Sequence, residues 1–171
     1  MAERIRNPYF SLTARSVLAL ALVLGTNVTL AAMPDIDPDW KEAEVSPPPT
    51  FSTTQLLPLE MPYFVSLKFG VDPASLAITP DGIVRYVMVA TNASGSVNAM
   101  YEGIRCVTGE VKTYARANAS GVWSTVKDAQ WRNLTDNLPS KHALALARQG
   151  ACDGRAAPAS STADIIKALK K

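Results

Sequence analysis

Between Tyr63 and Val126 apolar and polar residues alternate, β-branched and aromatic side chains are enriched, and turn residues separate the runs. That is the signature of a series of strands. Tyr63 to Phe69 opens the series, Asp72-Pro73 interrupts it, and Ser75 to Ile78 resumes it briefly. Pro80-Asp81-Gly82 then supplies a tight turn whose glycine tolerates positive φ. Ile83 to Thr91 is the clearest strand, with Val84, Tyr86, Met88 and Ala90 on one face and Ile83, Arg85, Val87 and Val89 on the other. Because both faces are largely apolar, it is predicted to be central. Asn92-Ala93-Ser94-Gly95 turns the chain, and Val97 to Val107 returns as a long antiparallel partner. Thr108-Gly109 leads into Glu110 to Arg116, and Ser120-Gly121 into Val122 to Val126. The expected result is an antiparallel meander of four to five strands.

After Asp128 the period changes. Trp131 and Leu134 predict a short helical turn. Pro139-Ser140 opens a helix that Ser140 can cap, with Ala143, Leu146 and Ala147 on one face and Gly150 just past its end. Arg155 to Ser161 reads as a linker. Ala163 to Lys171 places Ile165, Ile166 and Leu169 on one side, with Lys167, Lys170 and Lys171 near the end. Such a short amphipathic helix is favoured by its terminal cations but expected to fray. The predicted class is therefore α+β: a meander over residues 63–153 packed by a short C-terminal helix, followed by a flexible tail over 154–171.

The N-terminal third has a different texture. Met33 to Pro62 holds seven of the twelve prolines, including Pro47-Pro48-Pro49, and proline fixes φ and removes a donor. Residues 32–62 are read as an extended strap, either pinned to the body by Trp40 and Phe51 or a partly mobile arm. Ahead of it, Arg4, Arg6 and Arg15 precede the apolar run Val17 to Leu24, and Thr29-Leu30-Ala31-Ala32 ends in small residues. These are the parts of a secretory signal peptide over residues 1–31, cut after Ala31. The expected location is the periplasm. No later apolar stretch is long enough to span a bilayer. Retention of the leader as an anchor is the alternative.

Cleavage there leaves about 140 residues, one ordinary domain, with 14 basic and 14 acidic side chains. A neutral chain lacks the clustered positive face that nucleic acid or an anionic membrane surface requires, so neither is expected as a partner. Export also makes the only two cysteines, Cys106 and Cys152, readable as one disulfide that clips the helix onto the sheet. A redox-active pair would want them close in sequence.

The densest cluster of functional groups is Tyr101-Glu102-Gly103-Ile104-Arg105-Cys106. On a strand Tyr101, Gly103 and Arg105 point one way while Glu102, Ile104 and Cys106 point the other. Glu102 is thereby drawn toward the core and needs a partner, for which Arg85 or Arg105 offers a charge-assisted bond. Gly103 leaves room for a bulge or for an aromatic from the next strand. Arg85, Tyr101, Glu102 and Arg105 thus form a candidate polar network or ligand site. Tyr114, Trp123 and Trp131 either fill the core between sheet and helix or stack on sugar or peptide. His142 is the only histidine, so a serine-histidine-acid arrangement would have to use it, and no nucleophile motif accompanies it. No phosphate loop, metal-ligand spacing or paired-carboxylate motif is present. No cofactor, metal or catalytic residue is assigned.

Trp40-Lys41-Glu42, the proline strap, Val71-Asp72-Pro73-Ala74-Ser75-Leu76, Asp81-Gly82-Ile83-Val84-Arg85-Tyr86, Tyr101-Glu102-Gly103-Ile104-Arg105-Cys106 and the late Cys152 resemble the cryptic neisserial protein 1-like family. The likeness covers about residues 39–153, and the Tyr-Glu-Gly-Ile-Arg-Cys run is its most specific part. It implies an exported bacterial protein, periplasmic or envelope-associated, and no known activity. It also leads one to expect a bulky apolar residue before the second cysteine, where Ala151 stands here. The function expected is a binding or accessory module for an envelope protein or cell-wall component. The alternative is an envelope hydrolase using Glu102 or Asp128 as acid or base, with Arg105 stabilising negative charge.

Overall fold

The structure, a computed structural model, describes residues 36–154 and 157–171. The segment read as a signal peptide lies outside the described residues. Its centre is the strand predicted most clearly: β4 (Ile83–Thr91), paired antiparallel along its whole length with β5 (Val97–Arg105). Around this hairpin the sheet extends through β6 (Glu110–Ala117) and β7 (Trp123–Thr125) on one side, and through β2 (Lys68–Val71) and β1 (Leu57–Pro58) on the other. Short strands β3 (Ala77–Ile78) and β8 (Arg132–Asn133) add to β4 and β6, making eight strands in all. The class is α+β, as expected, and the β4–β7 meander is its core.

Three local expectations are corrected. Tyr63 to Leu67 is not strand; β2 begins only at Lys68, and Pro62 closes a turn by accepting from the Val65 N–H. The helical turn expected around Trp131 and Leu134 is instead β8, because Arg132 and Asn133 find free edge positions opposite Val111 and Glu110. The C-terminal segment does not fray: α2 (Thr162–Leu169) is capped by the Ser161 hydroxyl, which accepts from the Asp164 N–H, and Ile165 and Leu169 are buried in the main core. A short helix that is marginal alone is held here by tertiary burial.

The helix expected after Pro139 is α1 (His142–Leu146), which widens into a π-type turn over Ala147–Ala151. Gly150 ends it with φ of 135°, where an added methyl would lie 2.5 Å from the Ala168 side chain. Lys141 takes the N-cap position, and no side chain caps it; the Ser140 hydroxyl is engaged by His142 instead. Directly after the turn comes β9 (Cys152–Asp153), which pairs with β10 (Ala157–Pro158). Cys152 is bonded to Cys106, just past β5, with Cα atoms 5.6 Å apart. The bridge fastens helix to sheet, as the sequence predicted.

Each sheet face has its own core. On the first, Val84, Tyr86, Met88, Ala90, Met100 and Ile104 pack under α1 and α2. On the second, Val87, Val89, Ala99, Tyr101, Ala115 and Ala117 would be open to water were they not covered by Val45, Phe51 and Leu56 of the strap. Residues 40–50 form neither helix nor strand, yet they are pinned throughout. The Trp40 indole donates to the Asp81 carbonyl at 2.9 Å, the Trp123 indole to the Pro49 carbonyl at 3.0 Å, and the Ser52 N–H to the Asp72 carboxylate at 2.9 Å. Proline suits such a path, since backbone that joins no ladder loses nothing from a missing donor.

Candidate functional site

Strand alternation sorts the residues singled out from the sequence onto opposite faces of the sheet. Arg85, Tyr101 and Arg105 lie on the second face, under the strap. Buried Arg85 donates from its two terminal nitrogens to the Ala43 and Glu44 carbonyls at 3.1 and 3.2 Å. The carboxylates of Glu42 and Asp81 stand farther off, at 4.0 Å, so the carbonyls are its principal partners. Arg105 lies flat on Trp40, its guanidinium carbon 3.7 Å from the ring centroid, a strong cation–π geometry. Tyr101 tilts against Tyr114.

The three aromatic candidates also grip the strap. The Tyr114 hydroxyl donates to Glu42 at 2.7 Å, and the same carboxyl group receives Lys112 at 2.8 Å. Burial, then the bond to the Glu42 carboxylate, pushes the Tyr114 phenol far above its ordinary range. Trp123 packs edge-on to Phe51, and Trp131 edge-on to Trp40. Gly103 makes the crowding tolerable: a methyl there would sit 2.5 Å from the Tyr114 hydroxyl. Strand β6 carries one extra residue where the register shifts opposite Tyr101 and Glu102, and this bulge lets Tyr114 and Ala115 both reach the second core.

Glu102 stands apart from them all, on the first face. Neither Arg85 nor Arg105 is its partner; parity along the strands points both arginines away from it. Its carboxylate accepts from the Tyr86 hydroxyl at 3.0 Å and the Thr113 hydroxyl at 2.9 Å, and meets His142 Nε2 at 2.7 Å. Tyr86 is fully buried, Glu102 nearly so, and Phe69 stacks on the His142 ring with centroids 5.1 Å apart. On the far side of the imidazole, Nδ1 meets the Ser140 hydroxyl at 2.5 Å. Four elements thus converge on one carboxylate: β4 with Tyr86, β5 with Glu102 itself, β6 with Thr113 and α1 with His142.

Burial pushes the Glu102 carboxyl upward, but the pull of His142 and the bonds from His142, Thr113 and Tyr86 outweigh it, so the group is held below its ordinary value of 4.5. The sign of the linkage follows: a depressed carboxyl contributes stability that is complete above about pH 4.5 and is lost as pH falls through the folded-state value. Urea midpoints between pH 5 and 3 should therefore fall more steeply for the native protein than for Glu102→Gln. Parallel slopes would mean that the carboxylate is not held ionised.

Ser140, His142, Glu102 and Thr113 form one side of a pocket of about 390 Å³. Its remaining walls are partly apolar, from Met100, Val111, Val126 and Leu138, and partly charged, from Arg116, Arg132 and Asp128. Neither arginine is in an ion pair among the described residues. Asp128, an exposed residue at φ of 53°, shares this pocket with Glu102, whereas Arg105 does not. Among the described residues no group of three or more His, Cys, Asp or Glu side chains is arranged to hold a metal ion, and no helix is long and apolar enough to cross a membrane.

Sequence reasoning identified Glu102's need for a partner but passed over His142, Thr113 and Tyr86. The available signal was parity: Tyr86 lies on the same face of β4 as Val84 and Met88, and His142 is one position before the apolar face of the helix that covers them.

No curated protein and no solved structure matches the chain. The model of the CNP1-like family matches residues 35–170, which takes in the strap, both sheet faces, the Glu102 network, the disulfide and α2. On that match, the chain belongs to the CNP1-like family.

Proposed function

We propose that this is an exported binding or accessory module of the bacterial cell envelope, whose pocket beside His142 receives an anionic, partly apolar envelope component. The leader-like N-terminus and the Cys106–Cys152 bridge support a location in an oxidising space such as the periplasm. One observation carries the binding reading: two guanidinium groups, free of ion pairs among the described residues, share a concave site with an apolar wall. Pockets of this kind, mostly apolar with a few convergent polar groups, are the usual form of small-molecule sites. Arginine is the side chain best matched to carboxylate and phosphate. The neighbouring Tyr86, Thr113 and Glu102 polar groups satisfy one another, so they hold the pocket's shape and leave Arg116 and Arg132 to recognise the ligand.

Isothermal titration calorimetry with dodecyl phosphate as the probe tests this. Hydrogen bonds to charged groups contribute about 1.5–3 kcal/mol, so Arg116→Ala and Arg132→Ala should each weaken binding about tenfold or more. No measurable binding, or binding that survives the double substitution unchanged, refutes the reading.

A further inference from the structure

We propose that Ser140 is a nucleophile activated by His142, with Glu102 as the positioning residue, and that the pocket carries out acyl transfer from carboxylic esters to water. This rests on the reading of the pocket as a ligand site and adds a reaction to it.

The argument is one of hydrogen-bond direction. An ionised carboxylate only accepts, and Glu102 receives the Tyr86 and Thr113 hydroxyls as well as His142 Nε2. The hydrogen between Glu102 and His142 therefore resides on Nε2. In the neutral ring this leaves Nδ1 without a hydrogen, its lone pair facing the Ser140 hydroxyl at 2.5 Å. Ser140 donates, and its proton has somewhere to go. The order nucleophile, imidazole, buried carboxylate is the logic of the serine triad, in which the acid fixes tautomer and ring orientation. Here the two ring nitrogens exchange roles. Phe69, stacked on the ring, and the three bonds on Glu102 keep the assembly from rotating.

Burial supports the same division of labour. Glu102 and His142 are inside, whereas Ser140 is half-exposed and lines the pocket. A purely structural network could end at His142. This one continues by one hydroxyl to a cavity that a ligand can enter.

In the reaction, Ser140 Oγ attacks the ester carbonyl carbon while its proton passes to His142 Nδ1. The new Oγ–C bond forms, the C–O bond to the alkoxy group breaks, and the departing alkoxide takes the proton from Nδ1 and leaves as an alcohol. Water then gives its proton to Nδ1 and its oxygen to the acyl carbon. The Oγ–C bond breaks, the proton returns to Ser140, and a carboxylic acid departs. Arg116 and Arg132, lining the same pocket, are the positive groups available to the carbonyl oxygen as it gains charge. The apolar wall suits the acyl chain.

The test is covalent labelling of the folded, oxidised full chain with a fluorophosphonate probe, the site being located by peptide mass spectrometry. The result expected is a single adduct on Ser140, absent after unfolding in urea and absent in Ser140→Ala. Replacing the triad acid by its amide costs about 10⁴-fold in serine hydrolases because the wrong tautomer results. On that logic Glu102→Gln should slow labelling of Ser140 at least about 100-fold, an effect that a structural role would not produce in protein that remains folded. No adduct on Ser140 in the native protein, equal labelling of native and unfolded protein, or an unchanged rate in folded Glu102→Gln overturns the proposal. If Glu102→Gln does not fold, comparison of native with unfolded wild type decides alone. Because the probe needs no anionic end, failure here is distinct from failure of the dodecyl phosphate titration.

Discussion

Replacing Glu102 with alanine is expected to destabilise the protein by about 3–5 kcal/mol, because it orphans buried donors and opens a void in the first core. The Tyr86 hydroxyl, on a fully buried side chain, loses its acceptor, and a buried donor without a partner costs about 1–3 kcal/mol by itself. His142 loses the only bond to Nε2 on the described residues, and the truncated side chain leaves a void between β5 and α1. Glu102→Gln keeps the volume and an acceptor oxygen, so it should lose clearly less. Urea denaturation monitored by circular dichroism separates the two. A loss below about 1 kcal/mol in Glu102→Ala, within the range of ordinary surface substitutions, would show that the network is not a structural necessity and that its groups are tolerated rather than required.

Reduction of the Cys106–Cys152 bond is the other large effect. The cysteines are 46 residues apart, and the chain-entropy relation gives about 4 kcal/mol for a closed loop of that length. For a domain of this size that corresponds to a melting temperature lower by on the order of 15 °C. The loss should be uneven. The bridge joins the end of β5 to the start of β9, and the residues after β5 include α1 and its widened last turn, so amide exchange should accelerate most in His142–Ala151. The β4–β5 hairpin, paired over nine residues of each strand, should keep its protection longest. Uniform acceleration would mean that sheet and helix open as one unit regardless of the bridge.

The sequence was most readable where structure is set by near neighbours. Ile83 to Thr91 emerged with its observed bounds because alternation on a strand is a two-residue rule, and two apolar faces leave only a central position for it. The turn at Asn92 was equally local: its side chain accepts from the Ser94 and Ser96 N–H groups at 3.0 and 2.9 Å. Asn133 makes a turn of the same kind, its side chain accepting from the Thr135 N–H. It is also the end of β8, which exists only because β6 offers an edge at Glu110 and Val111, more than 20 residues away in sequence. Nothing local distinguishes such a strand from loop.

The polar networks show the same division. That Glu102 faces the core while Arg105 does not is parity, and it was legible. That the partner is His142 depends on how α1 crosses the sheet, which the disulfide and the packing of Leu146 on the first core determine jointly. The strap was the hardest segment to place. Its prolines say that it is extended, but the groups that pin it, Asp81, Arg85, Tyr114 and Trp123, are spread over three strands and a turn. Arg85, Tyr114 and Trp123 each read on their own as a candidate ligand contact, because a side chain prepared to bind a foreign peptide is indistinguishable in sequence from one prepared to bind its own.

That arrangement also orders events in time. The strap is the first of the described segments to be synthesised, yet its seat is finished only when Trp123 has been added, more than 70 residues after Pro49. Until then the cover over Val87, Val89 and Ala99 lacks Trp123 and the bond that anchors Pro49. A nascent chain halted between β5 and β7 therefore displays an incompletely covered, adhesive hydrophobic sheet, and escorts that hold unfolded polypeptides would have their principal claim on it in that interval.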